Sequence, residues 1–105
     1  MAPDRDGGLS KMGLNLVKEM NRVGMIIDCT HSSNKTCIDA AKTSTKPIML
    51  SHSNPFGAYN LPRNAPDEVI KAVAATGGVI CTNGLGGFLN KEGNAEPVEI
   101  ARHVN

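Results

Sequence analysis

The sequence predicts an α/β fold in which short parallel strands alternate with helices along the 105-residue chain. The first observation is the alternation itself: stretches with a helical spacing of apolar residues are separated by short apolar runs typical of buried strands. The second is that glycine or proline stands at several of the boundaries. Because alternating helices and strands usually form a parallel sheet with right-handed connections, we expect about three parallel strands with flanking helices.

Four helices are predicted from polar starts and from apolar residues three or four positions apart. The first follows the N-cap Ser10 and runs to about Val23, with Gly24 as its stop. The second begins at 32–34 and ends in the run 43–45, the third spans about 64–76, and the fourth begins at Pro97. The residues expected to face inward are Met12, Leu16, Val17, Met20 and Val23, then Cys37, Ile38 and Ala41, then Val69, Ile70, Val73 and Ala74, and finally Ile100, Ala101 and Val104.

Two of the three predicted strands, 25–30, 48–51 and 79–82, deliver a histidine at their carboxyl ends. Side chains alternate along a strand, so the predicted shared faces are Ile27, Cys29 and His31 on the first strand, and Ile48, Leu50 and His52 on the second. If these faces line a barrel interior, both imidazoles lie on an apolar floor at the mouth where barrel enzymes build their sites. Neighbouring strands are about 4.8 Å apart. The pair could therefore reach one metal ion.

Other roles remain open for each of these side chains. His31 and His52 could simply bond backbone carbonyls at the strand ends. Asp28 has the opposite parity, so we expect it to bond backbone or helix-side polar groups rather than the same ion. Cys29 and Cys81 have soft ligand atoms, but a core thiol is the commoner role. His103 is expected on the surface of the last helix, and the glycine-rich loop 83–93 lacks the spacing of a nucleotide-binding motif.

Composition excludes several classes of partner. The net charge is +1, with 11 basic and 10 acidic residues mixed along the chain, which gives no attraction to nucleic acid or anionic membranes. No apolar run approaches the roughly 20 residues that a membrane-spanning helix needs. The 3 cysteines form no CxxC pair and are expected as free thiols, which favours a reducing, cytoplasmic location.

Several motifs resemble the membrane (renal) dipeptidase family. They are GLS at 8–10, EMNRVGM at 19–25, DCTHS at 28–32, KPIMLSHSN at 46–54 and PRN at 62–64. That family belongs to the amidohydrolase superfamily of (β/α)8 metal enzymes, so the resemblance implies a partial TIM barrel. It also implies a hydrolase that cleaves the amide bond of dipeptides with metal-activated water at a binuclear zinc site.

The resemblance carries over to three residues of this chain. His31 and His52 match the two histidines that hold the second zinc, and Arg63 matches the arginine that receives the terminal carboxylate of the substrate. A guanidinium suits that role because its planar donors can pair a carboxylate at two points. Without the resemblance, Arg63 would be taken for a solvent-exposed loop charge. The segment 83–88 matches a loop that lines the substrate pocket.

Other family features have no match here. The His-x-Asp pair, the bridging glutamate, a further pocket histidine and the proton-handling aspartate are all missing, so no catalytic residue is retained. We therefore expect residues 1–105 to be a fragment of one barrel domain, incomplete at both ends and inactive alone. Three parallel strands cannot close a barrel, and the faces of Ile27/Cys29 and Ile48/Leu50 would meet no opposing wall. The alternatives are a module completed by a partner chain or second copy, and a non-catalytic binding or structural module.

Overall fold

The computed structural model describes residues 6–84, 86–91, 93 and 96–104. Helices and strands alternate in the order α1 (Lys11–Val23), β1 (Ile27–Asp28), α2 (Asn34–Thr43), β2 (Ile48–Leu50), α3 (Asp67–Ala75), β3 (Val79–Ile80), α4 (Gly86–Leu89) and α5 (Pro97–Val104). The strands form one parallel sheet in the order β1-β2-β3. The predicted α/β class, with three parallel strands and flanking helices, is confirmed.

Local capping explains where the helices begin and end. The Ser10 hydroxyl accepts the Gly13 N–H at the start of α1, and Gly24 ends that helix in the left-handed conformation at φ 79°. Helix α3 begins at Asp67, later than predicted, because Ala65 is held elsewhere: its N–H donates to the Asn54 carbonyl and its carbonyl accepts the Phe56 N–H. The short helix α4 lies inside the predicted loop 83–93, of which residues 85 and 92 are outside the described part.

The buried face of the sheet packs against the helices and does not line an interior. Its side chains contact the inner faces of α2 and α3 in one core, which contains Ile27, Cys29, Ile48, Leu50, Cys37, Ala40, Val69 and Val73 among others. The expectation that Ile27/Cys29 and Ile48/Leu50 would meet no opposing wall is therefore wrong. The opposite face is the open one, and Asp28, Met49 and Val79 lie on it side by side through the strand register.

Some helical faces predicted to pack inward are exposed. In α1 only Val17 is buried, whereas Met12 is 81% exposed and Leu16 and Val23 are also in solvent, since this helix contacts α2 along one side. In α5 the buried residue is His103, while Ile100, Ala101 and Val104 are exposed, and Ala74 of α3 is exposed as well. Among the described residues, no helix combines the length and apolar character needed to span a membrane.

Candidate metal centre

His31 lies in a tight turn that directly follows β1. The backbone N–H of Ser32 donates to the Cys29 carbonyl at 3.0 Å, and the Ser32 hydroxyl donates to the same oxygen at 2.6 Å. His31 is the third residue of this turn and has φ 69°, the one positive φ of a non-glycine residue in the part of the chain that is described. A positive φ at this position is the feature of a type II turn. Because the turn breaks the alternation of the strand, parity does not decide where the His31 ring lies.

The structure brings His31 and His52 together at the carboxyl ends of β1 and β2. His52 follows Ser51 just beyond β2. The two Nε2 atoms are 3.1 Å apart, and the ring centroids are 5.0 Å apart with the rings tilted by 60°. The predicted proximity of the histidines is thus observed, although for a different reason than strand parity.

The geometry of the two rings fits half of a zinc site. Two histidine nitrogens bound tetrahedrally to one zinc at about 2.0–2.1 Å are about 3.3 Å from each other, close to the separation seen here. Two nitrogen lone pairs that face each other repel unless a cation or a shared proton lies between them. Across the described residues, no group of three or more His, Cys, Asp or Glu side chains converges in a way that could hold a metal. A catalytic zinc usually has three protein ligands.

Neither cysteine considered as a soft ligand lies with the histidines. Cys29 is buried in the core, as its alternative role predicts, and the Cys37 thiol beside it holds the pKa of Cys29 below its usual value despite burial. Cys81 is exposed just beyond β3, where its N–H donates to the Leu50 carbonyl, so the expectation of a core thiol is wrong for Cys81.

Arg63 reaches the histidine pair from the long loop between β2 and α3. Its Nη2 is 3.4 Å from Nε2 of His31, so the positively charged guanidinium lies beside the same nitrogen that faces His52. The loop is ordered by the Asn64 side chain, which donates to the Tyr59 carbonyl at 3.0 Å, and by the backbone bond between Asn64 and Leu61. Arg63 is half-buried beside His31 and is not the solvent-exposed loop charge expected without the resemblance.

Asp28 and Ser51 form a hydrogen-bonded group beside His52 that the sequence patterns did not indicate. The Asp28 carboxylate accepts the N–H groups of Thr30 at 2.9 Å and Ser51 at 3.1 Å, and it also accepts the Ser51 hydroxyl. Burial tends to raise the pKa of Asp28, but the hydrogen bonds from Ser51 and Thr30 outweigh burial and lower this pKa to about 2.

Asp28 bonds backbone groups, as predicted, but its side chain lies on the other face of the sheet from the one that was expected. The carboxylate lies on the open side of the sheet and not on the helix side. The contact between Asp28 and Ser51 could have been predicted only from the strand register. Asp28 pairs with Met49, and Ser51 follows Met49 by two residues, so Ser51 comes next to Asp28 on the same face.

His103 is buried, contrary to the prediction that it lies on the surface. It is 7% exposed, and its Nε2 is 3.4 Å from the Leu89 carbonyl at the end of α4. The cause is helix α4, which contacts α5 and which the glycine-rich sequence 83–93 did not predict. The structure places His103 in this contact, apart from the pair formed by His31 and His52.

Parallel strands that alternate with helices, with polar side chains grouped at the carboxyl ends of the strands, define this chain as an α/β protein of the parallel-sheet class. The family model for the membrane dipeptidase (peptidase family M19) matches residues 1–105, and the chain belongs to this family. The resemblance found in the sequence motifs is therefore confirmed. So is the assignment to a family of metal-dependent hydrolases.

Relatives and solved structures agree with the family. The chain is 39% identical over 98 residues to an uncharacterized dipeptidase of Schizosaccharomyces pombe, covering 92% of this chain and 24% of that protein. An amidohydrolase from Pseudomonas aeruginosa is 38% identical with a TM-score of 0.87, covering 96% of this chain and 31% of the solved chain. A metallopeptidase from Rhodobacter sphaeroides, solved with a phosphinate mimic of the dipeptide L-Ala-D-Ala, is 28% identical with a TM-score of 0.88 over 99% of this chain and 31% of its own.

The chain matches only part of the length of each of these proteins. The chain spans about a quarter of the curated relative and about a third of the solved chains. Its three parallel strands and their helices correspond to part of the TIM-barrel-type fold of these dipeptidases.

Proposed function

We propose that this chain contributes two zinc ligands, His31 and His52, and a substrate-binding residue, Arg63, to a dipeptidase that hydrolyses the amide bond of dipeptides. The observation that carries the proposal is the 3.1 Å separation of the two Nε2 atoms at the carboxyl ends of neighbouring parallel strands. Membership of the family and the likeness to a solved metallopeptidase support zinc as the ion and a dipeptide as the substrate.

Each of the three residues has a distinct task in this proposal. The neutral imidazoles of His31 and His52 hold the ion, which when bound supplies Lewis-acid catalysis for the attack of water on the amide carbonyl. Arg63 pairs with the carboxylate of the dipeptide and orients it. Its guanidinium is 3.4 Å from His31, so a dipeptide held by Arg63 has its amide bond next to the histidine pair.

Residues 1–105 are, in this proposal, a fragment of a single barrel domain and are inactive alone. Two imidazoles supply fewer than the three ligands of a usual catalytic zinc site, and no larger group of ligand side chains converges within the described residues. The remaining ligands and the group that protonates the leaving amine must come from elsewhere in a complete enzyme.

A second candidate function is that of a complementing module, which works only when a partner chain adds further strands. The open face of the sheet favours it. Ile26, which directly precedes β1, is 70% exposed, and Val79, the first residue of β3, is 58% exposed. Apolar side chains exposed together on a sheet are typical of a surface that another layer covers.

Calorimetric titration with zinc tests the ligand assignment. We expect saturable binding of one ion per chain, loss of binding in the double variant His31→Ala/His52→Ala, and retention of binding in Cys81→Ala, which removes an exposed thiol outside the pair. Circular dichroism of each variant shows whether the fold is kept. A folded chain that binds no zinc, or binding that survives loss of both histidines, would contradict the proposal.

A further inference from the structure

We propose that Ser51 is a positioning residue that holds the His52 ring in the tautomer with its proton on Nδ1, and that Asp28 fixes the Ser51 hydroxyl in the orientation this requires. The Nε2 lone pair of His52 then points at His31. The consequence for metal binding rests on the function proposed above, but the tautomer itself does not.

The assignment follows from counting protons along three hydrogen-bonded groups. The Asp28 carboxylate is ionised near neutral pH and can only accept. The Ser51 hydroxyl has one proton and donates it to Oδ2 of Asp28, leaving only lone pairs on its oxygen. Nδ1 of His52 is 2.8 Å from that oxygen. A hydrogen bond across this distance therefore needs a proton on Nδ1, which makes Nε2 of the neutral ring an acceptor.

Asp28 is itself fixed by the residues that precede the two histidines. Its Oδ1 accepts the N–H of Thr30, which precedes His31, and the N–H of Ser51, which precedes His52. The His52 N–H in turn donates to the Thr30 hydroxyl at 3.3 Å. One carboxylate thus ties together the backbone segments that carry both rings, so loss of its charge disturbs the pair as a unit.

The tautomer matters because Nε2 is the nitrogen that faces His31. In water a neutral histidine favours the form with the proton on Nε2, and that proton would occupy the space where the two Nε2 atoms converge. A hydrogen-bond acceptor placed at Nδ1 reverses the preference. Partners of this kind behind a metal-binding histidine usually contribute about 10–100-fold in metal affinity.

Nitrogen NMR of the histidine rings in the metal-free chain tests the tautomer directly. With 15N-labelled histidine at pH 8, we expect a protonated Nδ1 and an unprotonated Nε2 for His52. In Ser51→Ala the ring should shift toward the Nε2–H form, and Ser51→Thr, which keeps the hydroxyl, should restore the original form. The signals of His103, buried against α4, report whether each variant keeps its fold. A wild-type His52 protonated on Nε2, or an unchanged tautomer in folded Ser51→Ala, would overturn the proposal.

Zinc titration of the same proteins separates this inference from the proposed function. We expect Ser51→Ala to bind zinc about 10–100-fold more weakly than the wild type, and Ser51→Thr to recover most of the difference. Equal affinities for the wild type and Ser51→Ala would show that Ser51 does not position a ligand. If the wild-type ring has the expected tautomer but the folded chain binds no zinc, the metal function fails while the hydrogen-bond assignment stands.

Discussion

His31 adopts a backbone conformation that favours glycine. Its φ of 69° is in the left-handed region, where a side chain costs about 1–2 kcal/mol. Two hydrogen bonds from Ser32 to the Cys29 carbonyl hold the turn, and they keep the backbone of His31 in this unfavourable conformation. Backbone strain of this kind is concentrated at functional sites. The strain therefore agrees with a role of the His31 imidazole in binding and not in folding.

We therefore expect His31→Gly to leave the metal-free fold at least as stable as the wild type, with a gain of up to about 1 kcal/mol in the free energy of unfolding. Two effects contribute: the strain is relieved, and one of two facing nitrogens is removed. Zinc binding should be lost. Urea unfolding without metal measures the first effect and calorimetry the second.

His52→Gly is the matched control, because His52 has no positive φ and its ring is bonded to Ser51. This variant should lose both stability and zinc binding. If His31→Gly is destabilised as much as His52→Gly, the left-handed conformation at His31 is not a source of strain.

Asp28 should make stability depend on pH below about 4. Its pKa in the folded chain is about 2, against 3.8 ordinarily, because the bonds from Ser51 and Thr30 outweigh the effect of burial. A lowered pKa stabilises the fold at pH values above the unfolded pKa, and this stabilisation disappears as pH falls from about 4 to about 2. After discounting for solvent screening we expect about 1 kcal/mol.

Urea unfolding of the wild type and Asp28→Asn, from pH 6 to pH 2, isolates this contribution from those of other carboxylates. The wild type should be more stable at pH 6, and the difference should shrink as pH falls. A difference that is independent of pH would show that the Asp28 charge does not contribute.

The proximity of His31 and His52 was predictable, but the route by which they meet was not. The strand pattern locates each histidine at a carboxyl end, and parallel pairing brings those ends together. The alternation of side chains does not continue through a turn, so the prediction of a shared strand face failed at His31. The bonds between Asp28 and Ser51 depend on strand register, which a single strand pattern does not reveal.

At the scale of secondary structure, α2 carries the sequence between the two histidine-bearing segments, and its amino end is tied to a distant part of the chain. The Ser33 hydroxyl accepts the Thr36 N–H as the N-cap and donates to the Asp6 carboxylate. Asp6 also accepts the Lys35 N–H at 2.6 Å, and the bond from Ser33 is the main reason why the pKa of Asp6 is lowered. Ser33 thus joins the segment before α1 to the start of α2.

Ser33→Ala should lower the free energy of unfolding by about 1–2 kcal/mol, since it removes the cap and the Asp6 contact together. Ser10→Ala is the comparison: this serine caps α1 through the Gly13 N–H alone, and a loss of about 1 kcal/mol or less is expected. Urea unfolding of both variants at neutral pH gives the values. A larger loss for Ser10→Ala than for Ser33→Ala would contradict the role of the Asp6 contact.

Helix positions followed from the sequence better than helix environments did. The N-cap Ser10 and the stop at Gly24 bound α1 as predicted, because capping is a local interaction. Which side of a helix is buried depends on its neighbours in space, so Met12 and Leu16 proved exposed. The burial of His103 depends on α4, whose glycine-rich sequence has a low helix propensity.

At the scale of the molecule, the two faces of the sheet have different surroundings. One face is covered by α2 and α3 and forms the core. The other face is open. A cavity of about 430 Å³ lies on it, close to the carboxyl end of α1, and is lined by Met25, Ile26, Met49, Val79 and neighbouring residues. An open sheet face with apolar side chains favours association with another layer, and so do β1 and β3, each of which pairs on only one side within the described part of the chain.

We therefore expect the isolated chain to self-associate in a concentration-dependent way through the open sheet face. The double variant Ile26→Ser/Val79→Ser should shift sedimentation toward the monomer, because both side chains are exposed and their loss leaves the core intact. Met12→Ser, which removes an even more exposed side chain from α1, is the control and should leave association unchanged. Equal effects of the two changes would mean that general surface hydrophobicity, and not the sheet face, drives association. A chain that remains monomeric at high concentration would count against the sheet face as a docking surface, and with it against the complementing module.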